Sequence, residues 1–315
     1  DLNYPILTPE DTEALVMSIT SKYHRDILID KGEVDYAYSI QDLGRYRVNI
    51  FRQRGTYAAA IRLVDTVIPK PEKLGLPASV IDLTNRKRGL VLFTGPTGSG
   101  KSTSLAALID VINSNYTDHI ITLEDPIEYL HTHKKAIVNQ REIGLDTNSY
   151  ANALRVVLRE DPDVILVGEM RDLDTISIAL TAAETGHLVF STLHTIGAAS
   201  TIDRIIDVFP PHQQQQTRIQ LAGVLEAIIS QQLLPKADGH GRVAAFEVML
   251  ANSAIKNLIR EAKTHQAQTI IQTNRKIGMQ TMDDALFDLY MRRIISAENA
   301  INFAQDPQTL MSKLF

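Results

Sequence analysis

A chain of 315 residues with 44% hydrophobic residues can bury a substantial core, and its length suggests two domains, or one large domain with an appendage. A formal net charge of -5, no Trp and 6% aromatic residues argue against a general nucleic-acid surface, and the absence of cysteine excludes disulfides and thiolate zinc sites. That absence fits a reducing cytoplasm, and chance accounts for it nearly as well. The longest apolar runs, such as "GLVLF" and "VILV", fall far short of the roughly 18 residues that span a bilayer. The opening "DLNYPILTPED" has no initiator Met, basic n-region or apolar h-region, so no secretory signal is read, and a piece of a longer polypeptide is one reading of the chain. The short basic stretches "NRKRG" (Asn85 to Gly89) and "HTHKK" (His131 to Lys135) read as solvated loops.

In chain order, Thr8 to Leu28 carries a helical pattern. Thr8 is the candidate N-cap, Pro9 stands at the first helical position, and Leu15, Ile19 and Ile27 share the expected apolar face. "VDYAYSI", "RYRVNIF" and "AAAIRLV" follow as short β-rich runs separated by "QDLG" and "QRG", the pattern of an antiparallel meander. The proline-bearing stretch Asp65 to Pro77 interrupts all periodicity and predicts a linker. The expected division is residues 1–66, a linker over 67–78, and a second domain over 79–315 with a helical tail from about residue 252. Beyond the linker, "GLVLFTG", "HIITLED", "DVILVGE" and "HLVFSTLH" alternate with helical patterns, which predicts an α/β domain with a parallel sheet covered on both faces. From Pro211 most segments read as helix, including "HQQQQTRIQLAGVLEAIISQQLL" (His212 to Leu234), "SAIKNLIREAK" and "MDDALFDLYMRR". Gln213 to Gln216 is expected on an exposed helix face.

"GPTGSGKST" (Gly95, Pro96, Thr97, Gly98, Ser99, Gly100, Lys101, Ser102, Thr103) fits the pattern G-x-x-x-x-G-K-[ST] between an apolar strand and a helix. Its glycines let backbone N–H groups turn toward phosphate oxygens at a helix N-terminus. Lys101 would reach the β- and γ-phosphates of a nucleotide and Ser102 would offer its hydroxyl to Mg²⁺. Ligands of open α/β sheets lie beyond the carboxyl ends of the strands, which directs attention to Glu124 with Asp125, to Glu169 and to His194. Glu169 reads as a carboxylate that orients or deprotonates an attacking water, or as a helix N-terminal carboxylate. Glu124 reads as a magnesium-shell or water-positioning group, or as a turn acid before Pro126. Gly168 stands where such strands usually offer an aspartate. His194 reads equally as a γ-phosphate donor and as a buried, satisfied histidine.

These residues resemble the secretion and pilus ATPase superfamily, most closely the PilT family of type IV pilus retraction ATPases. The resemblance runs from about Val34 to the C-terminal helices and rests on "GPTGSGKST", the aspartate box "ITLEDPIEY" (Ile121 to Tyr129), "DVILVGEMRD" (Asp163 to Asp172) and the histidine box "TAAETGHLVFSTLHT" (Thr181 to Thr195). It implies an α/β RecA-like P-loop NTPase core, a smaller N-terminal PAS-like α+β domain and C-terminal helices. It implies catalysis by Glu169, magnesium and water assistance by Glu124, and γ-phosphate sensing by His194, with ATP and Mg²⁺ bound. Gly168 is then a family feature. The family forms hexamers in which N-terminal arginines reach a neighbour's nucleotide; the matching positions are Arg47 and Arg62, with Arg45 and Arg54 as weaker candidates. The lack of cysteine tilts the choice toward retraction, because extension and secretion relatives commonly carry a tetracysteine module. "AIKNLIREAK" (Ala254 to Lys263) resembles the family's AIRNLIRE motif with Lys256 for an arginine, while Ala254, Ile255, Leu258, Ile259 and Ala262 also form an apolar helical stripe. An "SDLHL"-type strand expected ahead of the first domain is absent, so that domain is read as truncated. The implied protein is a cytoplasmic homohexamer acting on the inner-membrane platform protein of a type IV pilus, with peripheral membrane association through that partner only and no nucleic acid. The rival readings are a pilus extension or type II secretion ATPase, a RecA-like nucleic-acid translocase, and a scaffold that binds ATP without hydrolysing it.

Overall fold

The computed structural model describes residues 4–41, 43–64 and 67–314. Asp42 of the first expected turn, Asp65 and Thr66 of the expected linker, and the first three residues of the opening segment lie outside the described residues. Two compact units result, one of Asp1–Val67 with Pro126–Leu130, the other of Ile68–Asp125 with His131–Phe315.

The first unit contains α1 (Pro9–Ile19), α2 (Lys22–Lys31) and a meander of β1 (Glu33–Ile40), β2 (Gly44–Gln53) and β3 (Thr56–Val64). Thr8 caps α1 through a capping box with Asp11, and Pro9 opens the helix. The helical pattern expected to run unbroken to Leu28 instead breaks at Thr20, whose backbone is extended, and Ser21 caps a second helix through His24 N. The Thr20 hydroxyl donates to Val16 O at 2.5 Å, a local bond that competes with helix continuation. The break also rotates the apolar face. Val16 and Leu28 are buried against Val34, Tyr36, Val48 and Ile50, Ile19 and Ile27 pack at their margin, and Leu15 is exposed.

The second unit is built on a seven-stranded sheet of order β10-β9-β4-β8-β7-β5-β6. Its strands are β4 (Gly89–Thr94), β5 (His119–Glu124), β6 (Ile137–Glu142), β7 (Val164–Val167), β8 (Leu188–Leu193), β9 (Leu225–Pro235) and β10 (Arg242–Leu250). Every pairing is parallel except β9 with β10. Alternate residues of β4 serve opposite faces: Leu90 and Leu92 join one core, Val91 and Phe93 the other. The helices α3 (Pro71–Leu74), α4 (Ala78–Ile81), α5 (Lys101–Asn115), α6 (Tyr150–Val157), α7 (Leu173–Glu184), α8 (Ala198–Asp207) and α9 (Pro211–Val224) accompany the strands, and α10 (Ser253–Arg260), α11 (Ala267–Thr273), α12 (Met282–Met291), α13 (Ala297–Asn302) and α14 (Pro307–Leu314) follow them. In the proline-bearing stretch, Pro71 and Leu76 are buried and Leu76 joins the β4 core, so apolar packing fixes a segment whose composition suggests a free linker.

The helix expected over His212 to Leu234 ends at Val224, and the chain continues as β9. β10, expected as neither helix nor strand, pairs with it from Arg242↔Pro235 to Leu250↔Ala227. "LEAIISQQLL" is apolar on both sides of a central strand, a pattern that a buried helix satisfies equally well. Gln213, Gln215 and Gln216 are exposed on α9, as expected, while Gln214 is half-buried and donates to Phe209 O. On α10, Ile255 and Ile259 are fully buried and Leu258 packs beside them. Ala254 and Ala262 of the expected stripe are exposed, and Ala262 lies past the helix end with φ +56.

Candidate active site

Gly95 to Thr103 leaves the end of β4 and opens α5. Gly95 and Gly100 have φ of +134 and +90, and a Cβ at Gly95 would lie 2.2 Å from Gln231 O. Gln231, buried on β9, therefore backs the loop; its Oε1 also accepts from Ser104 Oγ of α5 at 2.9 Å. No side chain caps the α5 N-terminus, which leaves its N–H groups facing the loop. The Ser99 hydroxyl is buried with no partner among the described residues, and Lys101 Nζ, itself buried, donates to the carbonyls of Gly95 (2.8 Å) and Pro96 (3.0 Å). Ser102 is exposed on the first turn of α5. A cradle of glycine backbone, an open helix start and a lysine folded onto its own loop fits a polyphosphate.

The neighbouring strands deliver the acidic and imidazole groups. Register pairs Thr94 of β4 with Leu193 of β8, so the next residues, Gly95 and His194, leave the sheet side by side. Register also pairs Val167 of β7 with Ser191 of β8 and Leu123 of β5 with Val167, which brings Glu124 and Glu169 to adjacent strand ends. Glu169 sits in a turn fixed by β8: Thr192 Oγ1 donates to Gly168 O at 2.6 Å and Met170 N donates to Thr192 O at 3.1 Å. Its Oε1 meets His194 Nε2 at 3.1 Å and Arg171 Nε at 2.6 Å. Burial pushes the Glu169 carboxyl up, but the hydrogen bonds and charges of Arg171 and His194 outweigh that and hold it below the ordinary carboxylate range. Glu169 is not a helix cap; Asp172 takes that part for α7, accepting from Thr175 N. His194 is 42% exposed, which removes the reading of a buried, satisfied histidine. Glu124 closes β5 and accepts from Thr122 Oγ1 at 2.7 Å and from Gln140 Nε2 at 3.0 Å.

Tyr150 and Arg171 complete this region, and sequence reasoning missed both. Arg171 follows Glu169 by two residues in "GEMRD", a spacing that placed it in the motif without showing that its guanidinium folds back. Tyr150 lies in a stretch without periodicity. It starts α6, and a cleft of about 470 Å³ beside Glu169 is lined by Asp125, Tyr150, Arg171, Asp172 and Asp174 among others. Burial raises the Tyr150 hydroxyl, and Asp125, Glu169 and Glu124 add to the effect, so it stays protonated.

Tyr150 explains Gly168. A Cβ at Gly168 would lie 2.7 Å from the Tyr150 hydroxyl and 3.1 Å from Leu123 O, so the aspartate usual at this place does not fit. Gly168→Asp should therefore lower stability by about 1–3 kcal/mol through overpacking. A urea midpoint equal to that of the unsubstituted chain would show that the Tyr150 ring yields freely.

The arginines belong to the first unit. Register places Arg47 of β2 opposite Arg62 of β3, and Arg45 lies two residues before Arg47 on the same face. All three line a small cleft with Tyr46, Ile127 and Glu128. Arg47 pairs with Asp35 at 2.8 Å and Arg45 donates to Ile127 O at 3.1 Å, while among the described residues Arg62 makes no ion pair. Arg54 stands apart at the β2–β3 turn with φ +49.

Residues 72–306 match the profile of the family described as type II/IV secretion system protein. The chain belongs to this family. It is 48% identical over 309 residues to the twitching motility protein of Neisseria gonorrhoeae, covering 98% of this chain and 83% of that protein. The type IV pilus retraction ATPase PilT of Pseudomonas aeruginosa is 48% identical over 307 residues, covering 98% of this chain and 89% of its own length. A crystal structure of the pilus retraction motor PilT with bound ADP superposes with a TM-score of 0.91 at 54% identity, over 98% of this chain and 88% of that one. Within the family, the chain groups with the PilT retraction ATPases.

Proposed function

We propose that the chain is a Mg²⁺-dependent ATPase that works as a homohexameric motor and powers type IV pilus retraction, the basis of twitching motility. The observation that carries this reading is the meeting of Glu169 and His194 at the ends of neighbouring strands, beside the glycine cradle that ends β4. The match of 98% of this chain, at 48% identity, to a twitching motility protein and to a pilus retraction ATPase supports the retraction assignment over extension or secretion.

The loop amides of Gly95 to Thr103 and the α5 N-terminus hold the phosphates. Lys101 exchanges the Gly95 and Pro96 carbonyls for β- and γ-phosphate oxygens. Ser102 and Glu124 are the groups that would hold Mg²⁺, which usually takes only one or two protein oxygens besides phosphates and water. When bound, the metal neutralises charge on the β- and γ-phosphates. Glu169 orients the attacking water and accepts its proton, which requires the carboxylate to part from Arg171. His194 donates to the γ-phosphoryl oxygens as their charge grows. Arg62 and Arg47 of an adjacent copy add positive charge to that transition state, so assembly and turnover are coupled. The force is delivered at the cytoplasmic face of the inner membrane to the pilus platform protein. Among the described residues no helix is long and apolar enough to cross a membrane.

Phosphate release from ATP, with Mg²⁺ present and then chelated, tests this reading. Turnover should fall to the uncatalysed background on chelation and return when Mg²⁺ is restored. Turnover that survives chelation would contradict the metal assignment. Stimulation by single-stranded DNA that weakens with salt would favour a translocase instead.

A further inference from the structure

Three residues separate His194 from α8, and their path is set from behind the site. The chain turns at Gly197, whose φ +88 and ψ 149 lie in a region that glycine alone enters freely. Gly197 N donates to Ser230 Oγ of β9 at 3.1 Å, and Thr201 Oγ1 donates to Gly197 O at 2.7 Å. Ala198 N donates to Glu247 Oε1 at 2.7 Å. Glu247 lies on β10 opposite Ser230, and it is 1% exposed.

Among the described residues no cation pairs with Glu247, and a buried carboxyl without one is costly to ionise unless hydrogen bonds satisfy it. Burial pushes the Glu247 carboxyl up, while bonds from Ala198 N, Gln305 and Met282 N oppose that. The Gln305 bond comes from the far end of the chain: its Nε2 donates to Glu247 Oε2 at 2.9 Å, and its Oε1 accepts from Gln268 Nε2 at 3.3 Å, which fixes the amide's orientation. Its backbone N–H is held in turn by Asp283 of α12, at 2.7 Å. One oxygen of Glu247 therefore holds the loop that carries His194, and the other holds the segment between α13 and α14.

We propose that Glu247 is a positioning residue for His194, and that through Gln305 it makes the contact between His194 and Glu169 depend on the seating of the C-terminal helices. The inference rests on the proposed role of His194 in hydrolysis. If the α13–α14 segment lifts, Glu247 loses the Gln305 donor and is left with the bonds from Ala198 N and Met282 N, and the loop ahead of α8 relaxes. The C-terminal helices thereby gain a route to the hydrolytic site that involves no contact with nucleotide.

The test is ATP turnover by the full chain for Gln305→Ala, His194→Ala and the double variant, with kcat and KM measured separately. Gln305 is exposed, so its truncation spares the core. Gln305→Ala should lower kcat about five- to tenfold with KM changed less than about twofold, and in the His194→Ala background it should change kcat less than about twofold. Glu247→Gln keeps an acceptor for Ala198 N and should retain more kcat than Glu247→Ala. An equal loss from Gln305→Ala in both backgrounds, or no loss in either, would overturn the proposal. A His194→Ala variant with full kcat would instead remove the reading of His194 on which it rests.

Discussion

Glu169→Gln should reduce ATP turnover by about 10² to 10⁴ while ATP binding stays unchanged. The two quantities separate because the proposed phosphate contacts lie on the loop and on α5, whereas Glu169 stands at the end of another strand, where it meets His194 and Arg171. The amide oxygen of glutamine still accepts from both, so the turn after β7 keeps its form, but the amide cannot take a proton from water. The pH dependence has a definite sign. Glu169 is held below its ordinary value of 4.5, so the charged form and the stability it contributes are fully present above that value and are lost as pH falls through the lower folded-state value. The kcat/KM for ATP, which reports the free enzyme, should therefore show no Glu169-dependent decline between neutrality and pH 4.5, and the acid limb below it should vanish in the residual activity of Glu169→Gln. Retention of more than about a tenth of the turnover, against the hundredfold or greater loss expected of a lost general base, would remove Glu169 from the proposed role.

What could be read from the chain depended on the range of the interaction concerned. The phosphate loop was legible because its demand is local: glycines at Gly95 and Gly100 answer backbone conformations and close approaches within a few residues. The meander was legible from alternation alone, and the i, i+2 spacing of Arg45 and Arg47 already placed them on one face. Arg62 joined them only through strand register, and Arg54 left them because it falls in the turn. Glu124, Glu169 and His194 were singled out by the rule that sites lie beyond strand ends, although the contact of Glu169 with His194 depends on a strand order that no local pattern reveals.

The largest miss was β9 with β10. A buried strand with apolar residues on both faces has no alternation, so its run was assigned to the preceding helix. The cost was functional as well as structural. Ser230, Gln231 and Glu247 come from this hairpin and support the loop before α8, the glycine-rich loop and α5, and the α8 start, respectively. Read as helix, "SQQ" had no assigned work. Tyr150 was missed for another reason. Its role is to fill the space that Gly168 leaves open, a relation visible only when the two backbones are placed together.

The second large effect concerns Arg62, an exposed arginine without an ion pair among the described residues, set opposite Arg47 in a row of like charges. Three neighbouring guanidinium groups repel one another, and Arg47 is paired with Asp35 of the same sheet. An arginine supplied in trans to a phosphoryl transfer site contributes about 10³ to 10⁵ in rate. If Arg62 acts so, the isolated chain has the cradle, Glu169 and His194 yet remains slow.

The most direct measurement is ATP turnover per chain across a dilution series, from concentrations that assemble the ring to those that do not, for the unsubstituted chain and for Arg62→Ala. The proposed motor predicts a steep rise on assembly for the unsubstituted chain and a flat, low line for Arg62→Ala, with ATP binding retained by both. Turnover per chain that is independent of concentration and indifferent to Arg62 would contradict it and leave a self-contained ATPase.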